Sequence, residues 1–218
     1  MRKSTVLLTA TIGFGVLYLA ASIVLGSTPE PGDTGQSVAS WFGDHDGQVR
    51  TWAWLLTLSA PLFAVFAALI RSELPSPHRD VFFFGAIAFA AETAVQAWVW
   101  AGMAWHAGQL DPGTARTLLD VASFWGPVLT STTITMLAPV VVLGLRRDAV
   151  LPRWVGVIAA VAVAEQLIET ITIFGRHGFI APGGPMNIYL GAGLVGIALL
   201  GLGIAVARRA DRLAPATA

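Results

Sequence analysis

Residues 154–175 read WVGVIAAVAVAEQLIETITIFG, an apolar run that contains two acidic residues, Glu165 and Glu169. A helix of this length is about 33 Å long, enough to cross the ~30 Å hydrocarbon core of a bilayer. Helices and closed barrels are the arrangements that can span lipid, and this run is too long and continuous for a barrel strand. The run therefore predicts a membrane-spanning helix with carboxyl groups inside it.

The composition of the whole chain is typical of an integral membrane protein. Its 218 residues are 55% hydrophobic and 12% charged, whereas soluble domains carry about 25% charged residues. The formal net charge is zero, so the chain lacks the basic footprint of a nucleic-acid-binding protein. Cysteine is absent, which excludes disulfides, thiolate metal sites and cysteine nucleophiles.

The apolar runs predict an all-α polytopic transmembrane bundle that forms a single domain, residues 1–218. A basic start, Arg2-Lys3, resembles that of a signal peptide, but the apolar run continues to about Leu25 without a convincing cleavage site. We therefore expect a retained first helix. The predicted spans are residues 5–26, 50–70, 81–106, 117–145, 154–175 and 187–207.

Basic residues outside these spans concentrate on one side of the predicted bundle. The poorer side holds Arg50, Arg116 and Arg176. Because cytoplasmic loops carry an excess of Lys and Arg, we predict a multi-pass plasma-membrane protein with cytoplasmic N and C termini. The richer side holds Arg2, Lys3, Arg71, Arg79, Arg146, Arg147, Arg153, Arg208, Arg209 and Arg212.

Three glutamates lie deep within predicted spans, each flanked by apolar sequence: Glu92, Glu165 and Glu169. A charged side chain at mid-membrane costs about 2.5–3.5 kcal/mol on insertion scales and usually faces protein or a water-filled cavity. In the fifth span, Glu165 and Glu169 share a helix face with Thr172 and Arg176. We therefore expect the glutamates to mark a functional site.

Other polar and aromatic residues fall at the same predicted depth, the middle and outer half of the bundle. We expect one buried pocket with Glu92, Gln96, Glu165 and Glu169 in its wall. The further candidates that line it or orient a ligand are Trp54, Trp100, Trp125, the hydroxyl-bearing group Thr130, Ser131, Thr132, Thr133 and Thr135, Asn187 and Arg176.

A carboxyl group in an apolar pocket beside a second carboxyl group can hold a proton at neutral pH. Protonation-initiated cyclisation of a lipid-soluble isoprenoid needs such an acid, a dry cavity that does not quench the cation, and aromatic faces that stabilise it. The Asp-rich motifs DxDD and DDxxD are absent. Their absence excludes ionisation of a diphosphate through a metal cluster carried on those motifs.

Other interpretations of the glutamates stay open at this point. They could serve a small proton- or cation-coupled carrier or a lipid-binding protein, or they could fix helix register through hydrogen bonds. The motifs Gly-x-Ser-x-Gly and His-Glu-x-x-His are absent. A metal site from His45, His106 and His177 would require different loops and helix ends to converge, so we predict neither a metal nor a cofactor.

Three short patterns carry a resemblance to known proteins. They are SWFGDH at residues 40–45 leading to Arg50, DP and TAR within residues 111–116, and LPRWVG at residues 151–156. Through them the whole chain resembles a widespread set of small actinobacterial integral membrane proteins, mostly without assigned function. The resemblance implies six helices and an actinobacterial plasma membrane.

The chain's size and intramembrane acids also resemble those of microbial membrane-integral terpene cyclases, which use helix-borne carboxylates without Asp-rich motifs. This resemblance implies a prenylated or polyprenyl substrate dissolved among membrane lipids. We expect Glu92 to be the proton donor, and Glu165 and Glu169 to be a coupled pair that tunes the acid or receives the final proton. Trp54, Trp100 and Trp125 would stabilise the cation. The residues expected to orient the substrate are Gln96, Thr130, Thr133, Asn187 and Arg176.

Overall fold

The computed structural model describes residues 2–30 and 32–213, and within them all regular structure is helical. In this part of the chain, six helical segments are long and apolar enough to cross a membrane. The prediction of an all-α bundle with six spanning segments is therefore confirmed, while the side on which the termini lie stays a prediction. The segments are Lys3–Leu25, Asp46–Glu73, His78–Trp105, Pro112–Leu145, Arg153–Phe174 and Met186–Ala210.

The individual helices differ from the predicted spans at two places. A short helix in the first long loop was not predicted; its first turn is capped by Thr34, whose hydroxyl accepts from the Ser37 backbone N–H. The fourth predicted span consists of two helices that meet at Phe124. The helices are α1 Lys3–Leu25, α2 Gly35–Asp44, α3 Asp46–Glu73, α4 His78–Trp105, α5 Pro112–Ser123, α6 Trp125–Leu145, α7 Arg153–Glu169 and α8 Ala192–Leu213.

The fifth and sixth spans also contain non-α segments. Helix α7 ends at Glu169 and continues as a 3₁₀ segment, Thr170–Phe174. A π-helical segment, Met186–Gly191, leads into α8. Both irregular segments adjoin buried polar residues, and π-helical turns occur frequently at functional sites.

The six spanning segments form a closed ring, because each packs on the next one along the chain and α8 returns to α1. Glycines allow close approach at several of these contacts, as is common between membrane helices. A Cβ atom at Gly144 in α6 would lie 2.6 Å from the Cα atom of Gly156 in α7. A Cβ atom at Gly203 in α8 would overlap the hydroxyl of Thr11 in α1.

The bundle contains two apolar clusters, one toward each end of its axis. The proximal half, which holds the start of α1 and the end of α8, is filled by a cluster that includes Phe66, Phe82 and Leu202. At the opposite, distal end, a second cluster joins α2 and α5 to the start of α3 and the end of α4, and it includes Phe42 and Trp100. Between the two clusters the ring encloses a cavity.

Candidate functional site

The cavity in the distal half has a volume of about 860 Å³ and is lined by residues from all six spanning segments of the described chain. This volume lies in the range of small-molecule sites, about 300–1,000 Å³. Most of its lining residues are apolar. The aromatic part of the wall consists of Phe14 and Tyr18 from α1, Phe63 from α3, Phe89 and Trp98 from α4, Trp125 from α6 and Tyr189 from the sixth spanning segment.

One side of the cavity is polar and centres on Glu169, whose side chain is 3% exposed. Asn187 Nδ2 donates to Glu169 Oε1 at 2.6 Å, and Gln166 Nε2 donates to Glu169 Oε2 at 2.6 Å. The same Gln166 nitrogen donates to Glu165 Oε2 at 2.9 Å. Gln166 Oε1 in turn accepts a hydrogen bond from the Thr133 hydroxyl. We call these residues, Thr133, Glu165, Gln166, Glu169 and Asn187, the glutamate cluster.

Asn187 is held in place from several directions. Its Oδ1 accepts from the Gly183 backbone N–H at 2.8 Å, and its Nδ2 also lies 3.3 Å from the Thr172 hydroxyl oxygen. The side chain packs against Gly126, where an added Cβ atom would lie 2.7 Å from the Asn187 Cγ atom. The amide is therefore fixed toward Glu169 by a loop, the 3₁₀ segment and the start of α6.

Because Gly191 has no side chain, the Glu169 carboxyl group can occupy the space beside it. A Cβ atom at this position would overlap Glu169 Oε2 and lie 2.9 Å from Gln166 Nε2. Both neighbours are engaged in hydrogen bonds, so they cannot move without loss of those bonds. The absence of a side chain at Gly191 is thus a condition for the cluster.

The exposed lining residues of α1 and α8 indicate that the cavity opens sideways between these two helices. These helices touch where Gly15 faces Leu200, with an added Cβ atom 3.2 Å from the leucine side chain. Further toward the distal end, Gly193 and Gly196 face open space. Leu19 and Ile197 line the cavity and are 61% and 54% exposed. In a membrane this opening faces lipid.

Glu92 lies apart from the cavity, which differs from the predicted common pocket. Among the described residues, those that line the cavity include neither Glu92 nor Gln96. The half-buried Glu92 side chain accepts a hydrogen bond from Thr132 at 3.0 Å. Thr132 and Thr133 are adjacent in α6 and therefore point about 100° apart. Thr133 contacts α7 and the cluster, whereas Thr132 contacts α4.

Glu165 belongs to the cluster but lies behind Glu169, outside the cavity lining. Within the described residues its Oε1 is buried and has no hydrogen-bond partner. Thr130 is buried and donates to the Pro127 carbonyl at 2.7 Å, which leaves its hydroxyl out of the cavity. Arg176 is exposed, because the change from α to 3₁₀ helix after Glu169 interrupts the predicted stripe.

The three candidate tryptophans have different surroundings. Trp125 lines the cavity, and its buried Nε1–H has no hydrogen-bond partner within residues 2–30 and 32–213. Trp100 is buried in the distal cluster against Trp52 and Phe42. Trp54 is 59% exposed and contributes to a shallow surface groove beside Arg50. Of the residues expected to contact a substrate, Trp125, Thr133 and Asn187 line the cavity.

Gln166, the central amide of the cluster, was not among the predicted site residues, although its sequence position carries a signal. Gln166 stands between the two glutamates, and its i+3 relation to Glu169 places both on neighbouring positions of one helix face. The aromatic wall was also missed. Phe14, Phe63 and Phe89 lie in uniformly apolar runs, where no periodicity distinguishes a cavity-facing ring from a lipid-facing one.

Comparison with protein families, curated proteins and solved structures gives no match for this chain. In the described part of the chain, no three or more His, Asp or Glu side chains gather as a metal ion would require. His45, His106 and His177 therefore do not converge. The chemical character of the site depends on the glutamate cluster and the aromatic wall.

Proposed function

We propose that the protein is a membrane-integral terpene cyclase that starts cyclisation of a lipid-soluble prenylated or polyprenyl substrate by protonation. One observation carries the proposal: the Glu169 carboxyl group stands at the polar side of an apolar, aromatic-walled cavity that opens between α1 and α8. An isoprenoid dissolved in the bilayer would reach the cavity through this opening. Its alkene or epoxide end would then lie at Glu169.

The proton comes from the pair formed by Glu165 and Glu169. One amide nitrogen, Gln166 Nε2, contacts an oxygen of each carboxyl group. Two negative charges this close in apolar surroundings are strongly unfavourable, so the pair retains a proton. Glu169 is the member that lines the cavity. It therefore replaces Glu92 as the proposed donor, since Glu92 lies outside the cavity.

The reaction is balanced as an isomerisation. The Glu169 proton adds to an alkene carbon, or to an epoxide oxygen as its C–O bond breaks, and leaves a carbocation. The π electrons of a second double bond attack this centre and close the ring. Loss of a proton from a neighbouring carbon forms the final double bond, and the carboxylate pair receives that proton.

The cavity wall would protect and stabilise the cation. Aromatic faces attract a positive charge, and each contact contributes about 0.5–2 kcal/mol. Phe14, Tyr18, Phe63, Phe89 and Trp125 supply such faces around the cavity. The apolar residues between them keep water away, which prevents quenching of the cation.

Lipid binding without chemistry is the second candidate function, and one observation favours it. Both Glu169 oxygens already accept hydrogen bonds from amide groups, Oε1 from Asn187 and Oε2 from Gln166. In that case the cluster would recognise the polar end of a bound lipid. The two functions share the cavity and differ in whether a covalent product forms.

The test is turnover of a farnesylated substrate by purified protein in liposomes. We expect a cyclised product from the wild type and a loss of at least about 100-fold for Glu169→Gln, which removes a general acid. Glu92→Gln is the matched control and should retain turnover. Wild-type protein that binds the substrate but forms no product would favour the lipid-binding function. Equal turnover by Glu169→Gln would contradict the assigned acid.

A further inference from the structure

A polar patch on the outside of the ring lies along the groove between α4 and α6, away from the cavity. We call it the seam patch: Ala91, Glu92 and Gln96 of α4, and Ser131 and Thr135 of α6. Ala91 and Ser131 are exposed, and Glu92, Gln96 and Thr135 are half-buried. Glu92 stands at the middle of the 28-residue helix α4. The patch therefore lies near mid-membrane depth.

Lipid cannot satisfy the hydrogen-bonding groups of the seam patch. Within the chain, Thr132 donates to Glu92 Oε2, and the Ser131 and Thr135 hydroxyls donate to α6 carbonyls. Among the described residues, these bonds leave acceptor positions on the carboxyl and hydroxyl groups, and no bond engages the Gln96 amide. Intramembrane polar groups nearly always face protein or water. A second protein surface on this side of the ring would satisfy these groups.

We propose that the seam patch is the interface between two copies of this chain, related by a two-fold axis along the membrane normal. Copies inserted in the same direction place identical residues at the same depth. The patch is self-complementary, because Gln96 and Ser131 both donate and accept while Glu92 accepts. An isologous interface requires such a surface, because each contact between two positions occurs twice, once from each copy.

The surface around the patch suits helix-on-helix contact. Ala91 is small and exposed, which allows the backbone of a second helix to approach α4 closely. Ile87 and Val95, one turn to either side, are also exposed and apolar. The polar groups would thus be covered at the centre of an apolar contact. The site at Glu169 lies across the ring wall, so this interface is independent of the proposed function.

Cross-linking tests the interface directly, because the chain contains no cysteine. Ala91→Cys and Ser131→Cys would be reconstituted separately in liposomes at high lipid excess and oxidised. Ile12→Cys is the control, since this α1 residue is exposed on another side of the ring. We expect disulfide-linked dimers from at least one seam variant, at a yield at least tenfold above the control. Yields no higher than the control from both seam variants would overturn the proposal.

The contribution of the polar groups to dimer formation is tested in the cysteine variant that forms cross-linked dimers. Glu92→Leu should lower the dimer yield at least tenfold, whereas Glu92→Gln, which keeps hydrogen-bonding capacity, should retain it. Dimers unaffected by Glu92→Leu would show that the patch does not hold the copies together. In native membranes, cross-linking to a different protein while the purified chain stays monomeric would also overturn the proposal. Turnover by Glu92→Gln reports separately on the proposed function.

Discussion

The Asn187 amide donates to the Glu169 carboxyl group at 2.6 Å and so joins the π-helical segment before α8 to the end of α7. Both side chains are buried, and Glu169 and Asn187 both line the cavity. The bond orients the carboxyl group and also connects two spanning segments. Loss of this amide should therefore affect both stability and ligand binding.

Replacement of Asn187 by leucine should destabilise the protein by roughly 1–3 kcal/mol, because it leaves a buried acceptor without its donor. Leucine has a similar volume, so the contact with Gly126 changes little. Thermal unfolding in detergent, compared with wild type, measures the effect. Tyr189→Phe, at an exposed neighbouring position, is the control. An unchanged unfolding temperature for Asn187→Leu would mean that the bond does not hold α7 and α8 together.

A methyl group at Gly191 should disrupt the glutamate cluster. The new Cβ atom would overlap Glu169 Oε2, so Gly191→Ala should cost about 1–3 kcal/mol, as overpacking of a filled site does. Gly193→Ala is a matched control two residues away, where an added Cβ atom meets nothing within 4 Å. It should be neutral or stabilising by up to about 1 kcal/mol through helix propensity. Equal effects of the two substitutions on thermal stability would contradict the described position of Glu169.

A large side chain at the lateral opening should block access to the cavity without damage to the fold. Gly196 faces open space between α1 and α8, so Gly196→Phe should fold like the wild type. We expect at least a tenfold weaker binding of a fluorescent prenyl lipid in liposomes. Ile12→Phe, on the lipid-facing side of α1, should bind it normally. Normal binding by Gly196→Phe would show that the ligand uses another route.

Hydropathy and helix length were sufficient to predict the six spanning segments, because each apolar run must match the bilayer thickness. The helical repeat of 3.6 residues predicted that Glu165, Glu169 and Thr172 share one face, and all three are buried. It failed at Arg176, because it assumes a continuous α-helix and the chain changes to a 3₁₀ segment after Glu169.

The division of polar residues between two sides of α6 could not be predicted from depth alone. Thr132 and Thr133 lie at the same height, yet one binds Glu92 and the other binds Gln166. Which neighbour each threonine meets depends on how α4 and α7 pack around α6. Helix spacing within one span does not contain that information.

Isotope incorporation tests the central claim most directly, namely that the Glu169 carboxyl group protonates a substrate inside the cavity. Wild-type protein in liposomes would be given a farnesylated substrate in deuterated water, and the product analysed by mass spectrometry. Because the reaction adds one solvent-exchangeable proton to carbon and removes a different proton that was bound to carbon, we expect a cyclised product with one deuterium from the wild type. Glu169→Gln should form no such product. A product without deuterium, or the same labelled product from Glu169→Gln, would contradict this account.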